Sequence, residues 1–178
     1  MGRKLILALL PLCLAAPLAA AASIPDKIIP DCNVLSVTSG DSLTALCAGQ
    51  EIKVSLYGID APEVAKRSPR TGKALRPGQP FGEEARLVLE QKVGGNHLSL
   101  EVMAVDRFKR RICLVKVGEH LINREMIAEG WAWAYRPYHR GPHNLDFIVA
   151  EKAARAARKG LWQQKNPQSP WAFRKENW

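Results

Sequence analysis

Cysteine is scarce in this sequence: the 178 residues hold four, with no C-x-x-C pair and no histidine at a zinc spacing beside them. A structural zinc site is therefore not expected. Acidic residues are in deficit too, with 17 Asp and Glu against 26 Lys and Arg. That imbalance points to a polyanionic partner, nucleic acid or an anionic membrane face, and charge alone does not choose between them. No internal repeat is visible. With 47% hydrophobic and 24% charged residues, the composition excludes wholesale disorder, collagen-like repetition and a multi-span membrane protein. The length suits one domain with a single core.

The one long apolar run lies at the start. Arg3 and Lys4 precede Leu5 to Ala22, which is broken by Pro11 and Pro17 and closes on Ala19-Ala20-Ala21-Ala22. Eighteen residues with two prolines fall short of a spanning helix, and the small-residue end is what a signal peptidase accepts. Residues 1–22 are expected to be a secretory signal, with an uncleaved anchor as the alternative, and residues 23–178 to be the folded domain. Without residues 1–22 the chain keeps 24 basic and 17 acidic residues, a net charge of +7.

Three cysteines remain, Cys32, Cys47 and Cys113. If Ser39-Gly40 turn a two-residue hairpin, residues whose numbers sum to 79 face each other, and Cys32 then opposes Cys47. This register predicts a Cys32–Cys47 disulfide in an oxidising compartment, with Cys113 left as a buried thiol. A bulge that slips the register would instead leave free thiols.

Strands are expected over 33–38, 43–48 and 51–58, short β-rich runs separated by turn residues. Val64 to Pro80 is rich in Pro, Gly and cations and reads as a mobile surface loop. Phe81, Ala85, Val88, Leu89 and Val93 recur at helical spacing, with Glu83 and Glu84 in the first turn and Gly94-Gly95 as the stop. Two further strands, 97–104 and 111–117, precede a short helix around Ile122 to Ile127 and a longer one from Leu145 to Ala156. The class is α+β: a five-stranded OB-type Greek-key β-barrel with a helix between strands 3 and 4 and two C-terminal helices.

Pairing of strands two and three would bring Asp41, Asp60 and Glu63 to one rim of this barrel. Clustered carboxylates repel unless a hard cation such as Ca²⁺ neutralises them. The plain reading is that Asp41 is a turn residue and Asp60-Ala61-Pro62-Glu63 a strand terminator. Asp106-Arg107-Phe108-Lys109-Arg110 packs three cations before strand five, as a solvated turn also would. Glu151, Lys152, Arg155, Arg158 and Lys159 read as a solvated helix face with Glu151 and Arg155 paired.

Ser39-Gly40-Asp41-Ser42, Leu56-Tyr57-Gly58-Ile59-Asp60-Ala61-Pro62-Glu63, Gly78-Gln79-Pro80-Phe81-Gly82-Glu83-Glu84-Ala85, Asp106-Arg107-Phe108-Lys109-Arg110, Asn123 with Gly130-Trp131-Ala132, and Gly160-Leu161-Trp162 follow in this order. Together these six segments resemble the staphylococcal-nuclease (thermonuclease) family, over roughly residues 33 to 173. The resemblance implies that Asp41 and Asp60 bind Ca²⁺ through carboxylates, that Ala61 does so through its carbonyl, and that Glu63 holds a metal-bound water and acts as general base. It also implies that Arg110 stabilises charge on the phosphate, that Arg107 touches a terminal phosphate, and that Tyr135 and Tyr138 line a nucleotide pocket.

The pattern breaks in two places. Ser39 stands where the family usually has an aspartate, and Ser55 where its first catalytic arginine would be. Lys53, two residues earlier on the same strand face, is the candidate partial substitute, about 7 Å away along the strand. The expected protein is a secreted or periplasmic, monomeric, Ca²⁺-dependent nuclease acting on single-stranded or frayed DNA or RNA, with no obligate protein partner. The alternatives are an inactive OB module that binds single strands and an envelope protein lying on anionic lipid.

Overall fold

Alternation of Leu43, Ala45 and Cys47, all buried, with more exposed neighbours makes Ser42–Cys47 a strand with one face on a core. The same logic builds the rest of the computed structural model, which describes residues 28–135 and 143–177. The elements in chain order are β1 (Ile28–Ser39), β2 (Ser42–Cys47), β3 (Gln50–Leu56), β4 (Ile59–Asp60), β5 (Lys66–Arg67), β6 (Ala74–Arg76), α1 (Gly82–Val93), β7 (His97–Val105), β8 (Arg111–Val117), β9 (His120–Leu121), α2 (Ile122–Ala128), β10 (Trp133–Ala134), α3 (Asn144–Ala156), a 3₁₀ turn (Gly160–Gln163) and α4 (Pro170–Asn177). Strands run β3-β2-β1-β7-β8, and a parallel β3–β8 pairing closes them into a five-stranded mixed barrel. This is the α+β OB-type barrel expected, with α1 between the third and fourth barrel strands and one helix, α4, beyond those foreseen.

The β1–β2 hairpin reaches its register by a route different from the expected one. Its two-residue turn is Gly40-Asp41, with Ser39 opposite Ser42, and two irregularities in β1 then shift the pairing step by step until Asn33 faces Leu46. Each shift lowers the facing sum by one, so the expected pairing returns at the far end. Cys32 and Cys47 are joined there by a disulfide, their Cα atoms 4.4 Å apart. Cys113 is a free, buried thiol, and burial pushes it up to about 12.

Ala85, Leu89 and Val93 put the buried stripe of α1 on the barrel. β8 has four consecutive buried residues, Ile112 to Val115, because barrel strands flank it and α2 covers its outer side. Asn123 of α2 is fully buried, and its side chain completes the seam where β3 meets β8. Its Nδ2 donates to the Tyr57 and Cys113 carbonyls at 2.9 and 3.0 Å, and its Oδ1 accepts the Val115 N–H at 2.8 Å. A buried polar group is tolerated only when satisfied in this way.

The basic stretch after Glu63 is more ordered than expected: β5 and β6 pair into a small, fully exposed hairpin. On the α3 face expected to be solvated, Glu151 alone differs. Glu151 is buried and accepts the Ala134 N–H, while Arg155 pairs with it at 3.3 Å. The Arg155 guanidinium lies 4.7 Å from the Trp133 ring and 4.1 Å from that of Trp162, while Arg155, Lys152, Arg158 and Lys159 stay exposed, so the pair forms on a solvated face as expected and only Glu151 is packed. Trp133 and Trp162 meet edge to face at 4.4 Å in a second small cluster with Ala154 and Leu161, against which Phe81 and Trp171 pack.

Candidate active site

Four carboxylates line one cleft of about 870 Å³, and three of them, Asp41, Asp60 and Glu63, reach it from the β1–β2 turn and the end of β4. Asp41 stands in the β1–β2 turn, where its Oδ1 accepts from Ser39 Oγ at 2.6 Å and Ser42 Oγ at 3.1 Å. Its Oδ2 accepts the Ala61 N–H at 3.2 Å, which stitches the turn to the segment after β4. Gly40 permits this approach, since a Cβ there would fall 2.7 Å from Ala85 Cβ and 2.8 Å from Ala61 Cβ.

Asp60 belongs to β4, whose partner strand β10 places Trp133 opposite it, and it is almost wholly buried. Glu63 follows Pro62, and Gln79 clamps its backbone from both sides. The Glu63 N–H donates to Gln79 Oε1 at 3.0 Å, and the Gln79 N–H donates to the Glu63 carbonyl at 2.8 Å. Gln79 Nε2 then donates to the Gln168 carbonyl at 3.1 Å, tying this corner to the segment leading into α4.

Asp60 and Glu63 are held by a residue the sequence reading did not single out. Arg174 of α4 donates through Nη1 and Nη2 to the two carboxylate oxygens of Asp60, at 2.9 and 2.7 Å, and through Nη1 to Glu63 Oε1 at 2.6 Å. Burial, with Asp41 and Glu63 adding like charge, pushes Asp60 up to about 7 against the pull of Arg174. Burial likewise raises Glu63, opposed by its bond to Arg174. The Arg174 guanidinium stays charged, its acidity weakened by the bond to Asp60.

The opposite wall is the turn after β7. Asp106 Oδ1 accepts the Phe108 and Arg110 N–H groups at 2.9 Å each, and Oδ2 accepts Arg110 Nε at 2.7 Å. Burial, the largest single effect, raises the Asp106 carboxyl, but these bonds and the Arg110 charge together hold it below its usual range. Arg107 lies over the Phe108 ring at 4.8 Å and lines the cleft with Arg110, Arg76 and Tyr135. Tyr138 lies outside the described residues.

The structure therefore gathers Asp41, Asp60, Glu63, Arg107, Arg110 and Tyr135 around one cleft, and Ser55 lines it as well. Ala61 lies buried beneath, bonded to Asp41. Lys53 does not join them: it is exposed on β3 and does not line the cleft, because a residue two positions back along an extended strand stays outside. Arg174 and Gln79 carry roles that the sequence reading missed. Gln79 sat inside a quoted motif, whereas the only signal for Arg174 was Ser169-Pro170, a helix start, ahead of it.

The donors suit a hard cation in kind: the carboxylates of Asp41, Asp60 and Glu63 share the cleft, and the Arg174 guanidinium bonds two of them. No three carboxylate, histidine or cysteine side chains among the described residues are grouped to enclose a metal ion.

The fold and the site define a class of domain: a closed OB-type barrel carrying an acidic cleft rimmed by arginines. Comparison with known proteins gives the family. Residues 53–164 match the model of the staphylococcal nuclease homologues. An uncharacterized endonuclease of Haemophilus influenzae is 33% identical over 146 residues, 82% of this chain and 73% of its own length. A micrococcal nuclease of Shigella flexneri is 33% identical over 152 residues, 80% of this chain and 79% of its own. A probable staphylococcal-like nuclease of Oryza sativa subsp. japonica is 30% identical over 135 residues, but the matched part is 73% of this chain and only 32% of that longer protein. The chain belongs to the staphylococcal nuclease homologue family, a family of hydrolytic nucleases.

Proposed function

We propose that the protein is a secreted or periplasmic, Ca²⁺-dependent nuclease that hydrolyses phosphodiester bonds of DNA or RNA, taking single-stranded or frayed ends as a monomer. The observation that carries this reading is the convergence of Asp41, Asp60 and Glu63 on one cleft that Arg107 and Arg110 face. A domain that only bound polyanions would gain nothing from clustering carboxylates there. The apolar stretch over residues 1–22 supports export, and so does the Cys32–Cys47 disulfide, which belongs to an oxidising compartment. No helix among the described residues is long and apolar enough to cross a membrane.

Asp41 and Asp60, with the Ala61 carbonyl, would hold Ca²⁺, whose charge when bound screens the substrate from the acids and polarises a phosphoryl oxygen. Glu63 takes the proton of the attacking water as the water oxygen bonds to phosphorus. Its burial favours this role, since a carboxylate raised from its usual range is a stronger base. Arg110 binds the charge that builds on the phosphoryl oxygens while the bond to the leaving oxygen breaks. Arg107 holds a neighbouring phosphate, and Tyr135 offers a ring to the nucleotide.

Glu63→Gln tests the assignment. It should lower kcat by at least about 10² while leaving oligonucleotide affinity nearly intact. Equal cleavage by variant and parent would remove Glu63 from the mechanism.

A further inference from the structure

Arg174 stands on α4, 111 positions beyond Glu63, and its three bonds occupy both Asp60 oxygens and one Glu63 oxygen. These are oxygens a divalent cation would need, so the two positive groups exclude each other there. The helix that carries Arg174 is lightly anchored. Only Pro170 of its eight residues is buried, and Trp171 rests edge-on against Trp133 at 5.6 Å and tilted on Tyr135 at 5.7 Å. The Arg174 side chain, 30% exposed, lies one turn beyond that anchor. A long, partly solvated side chain so placed can leave the acids while its helix stays docked.

Charge favours such an exchange over simple loss of Arg174. Arg174 bonds Asp60 and Glu63 but not Asp41, so the acids can take up a further positive charge while Arg174 remains in the cleft. An anionic phosphodiester entering a neutralised site would then meet a guanidinium freed of its carboxylate partners. On the strand side of the same cleft, Ser55 offers one neutral hydroxyl.

We propose that Arg174 is the exchangeable cation of this cleft: it neutralises Asp60 and Glu63 until a divalent cation displaces it, and the displaced guanidinium binds the substrate phosphate. The second half rests on the nuclease reading; the exchange itself does not. Binding of the cation and preparation of the phosphate site thereby become one event. A tail residue, supplied by α4, provides the phosphate-binding fork that the barrel strand lacks at Ser55.

Calorimetric titration with CaCl₂ of the parent, Arg174→Gln and Arg174→Lys tests the exchange. Arg174→Gln should bind Ca²⁺ at least about tenfold more tightly than the parent, with the lysine variant between them. Unchanged or weaker binding, or no binding by either protein, overturns the exchange. Should the glutamine variant fail to fold, the Arg174 Nε–Hε resonance of the parent decides: it should move as Ca²⁺ is added, and an unmoved resonance overturns the proposal.

For the phosphate half, Arg174→Gln in saturating Ca²⁺ should bind a short phosphorothioate oligonucleotide about tenfold more weakly, and adding Ser55→Arg should restore cleavage. Unaltered oligonucleotide affinity, or no rescue, overturns that half. Tighter Ca²⁺ binding by Arg174→Gln in a protein that cuts nothing would uphold the exchange and reject the nuclease reading.

Discussion

Arg174 Nη2 lies 2.7 Å from Asp60 Oδ2, although the two residues stand 114 positions apart in the chain. The ion pair pins the last helix to the strand end that carries the acid cluster. Gln79 makes the same connection through the Glu63 backbone on one side and the Gln168 carbonyl on the other. The acids, the segment after the basic hairpin and α4 thus share one set of hydrogen bonds, so a charge change at the acids is felt at α4.

Asp41→Asn with Asp60→Asn should abolish any rise in Tm that the parent shows on adding Ca²⁺. A ligand bound only by the folded state raises stability by mass action, and two of its carboxylates are gone. The check is a pair of thermal melts with Ca²⁺ and with chelator; a parent whose Tm ignores Ca²⁺ would argue against the site.

Asn123→Ala should cost on the order of 3 kcal/mol, because three hydrogen bonds disappear and buried backbone groups at Val115, Tyr57 and Cys113 lose a partner. Denaturant unfolding with an unchanged m-value measures it. A loss below about 1 kcal/mol would mean that water replaces the amide.

Glu125 should make stability fall at acid pH. Burial alone would raise its pKa, but the Lys92 and His120 bonds outweigh that and leave it below the usual range. A depressed carboxylate contributes stability that is complete above its unfolded pKa and is lost as pH falls through the folded one. Lys92→Met removes the larger partner, so its Tm deficit at neutral pH should shrink as the pH drops through the carboxylate range. A deficit constant with pH would rule out the pair as its source.

The barrel was legible because its strands and α1 carry clean periodicity: Leu43, Ala45 and Cys47 on one, and Ala85, Leu89 and Val93 on the other. The disulfide was legible for a subtler reason. The expected turn, Ser39-Gly40, was one residue off centre, and two irregularities in β1 compensated for it at the cysteine end. The acids were legible as motif residues, but Arg174 was not. A single arginine in a short polar tail looks like a solvated charge, and its partner lies across the fold, a relation that no local pattern encodes. Glu151 failed in the same way: helical spacing gave its pairing with Arg155, but not its burial against the Ala134 N–H of β10, a partner that no local pattern encodes.

The most direct test of the account is cleavage of single-stranded DNA and RNA oligonucleotides by the purified protein in millimolar Ca²⁺ and, in parallel, with excess chelator. Cutting is expected in Ca²⁺, stopping on chelation and resuming when Ca²⁺ is restored. Strands that are bound but left intact in both conditions would contradict it and make the protein a binding module.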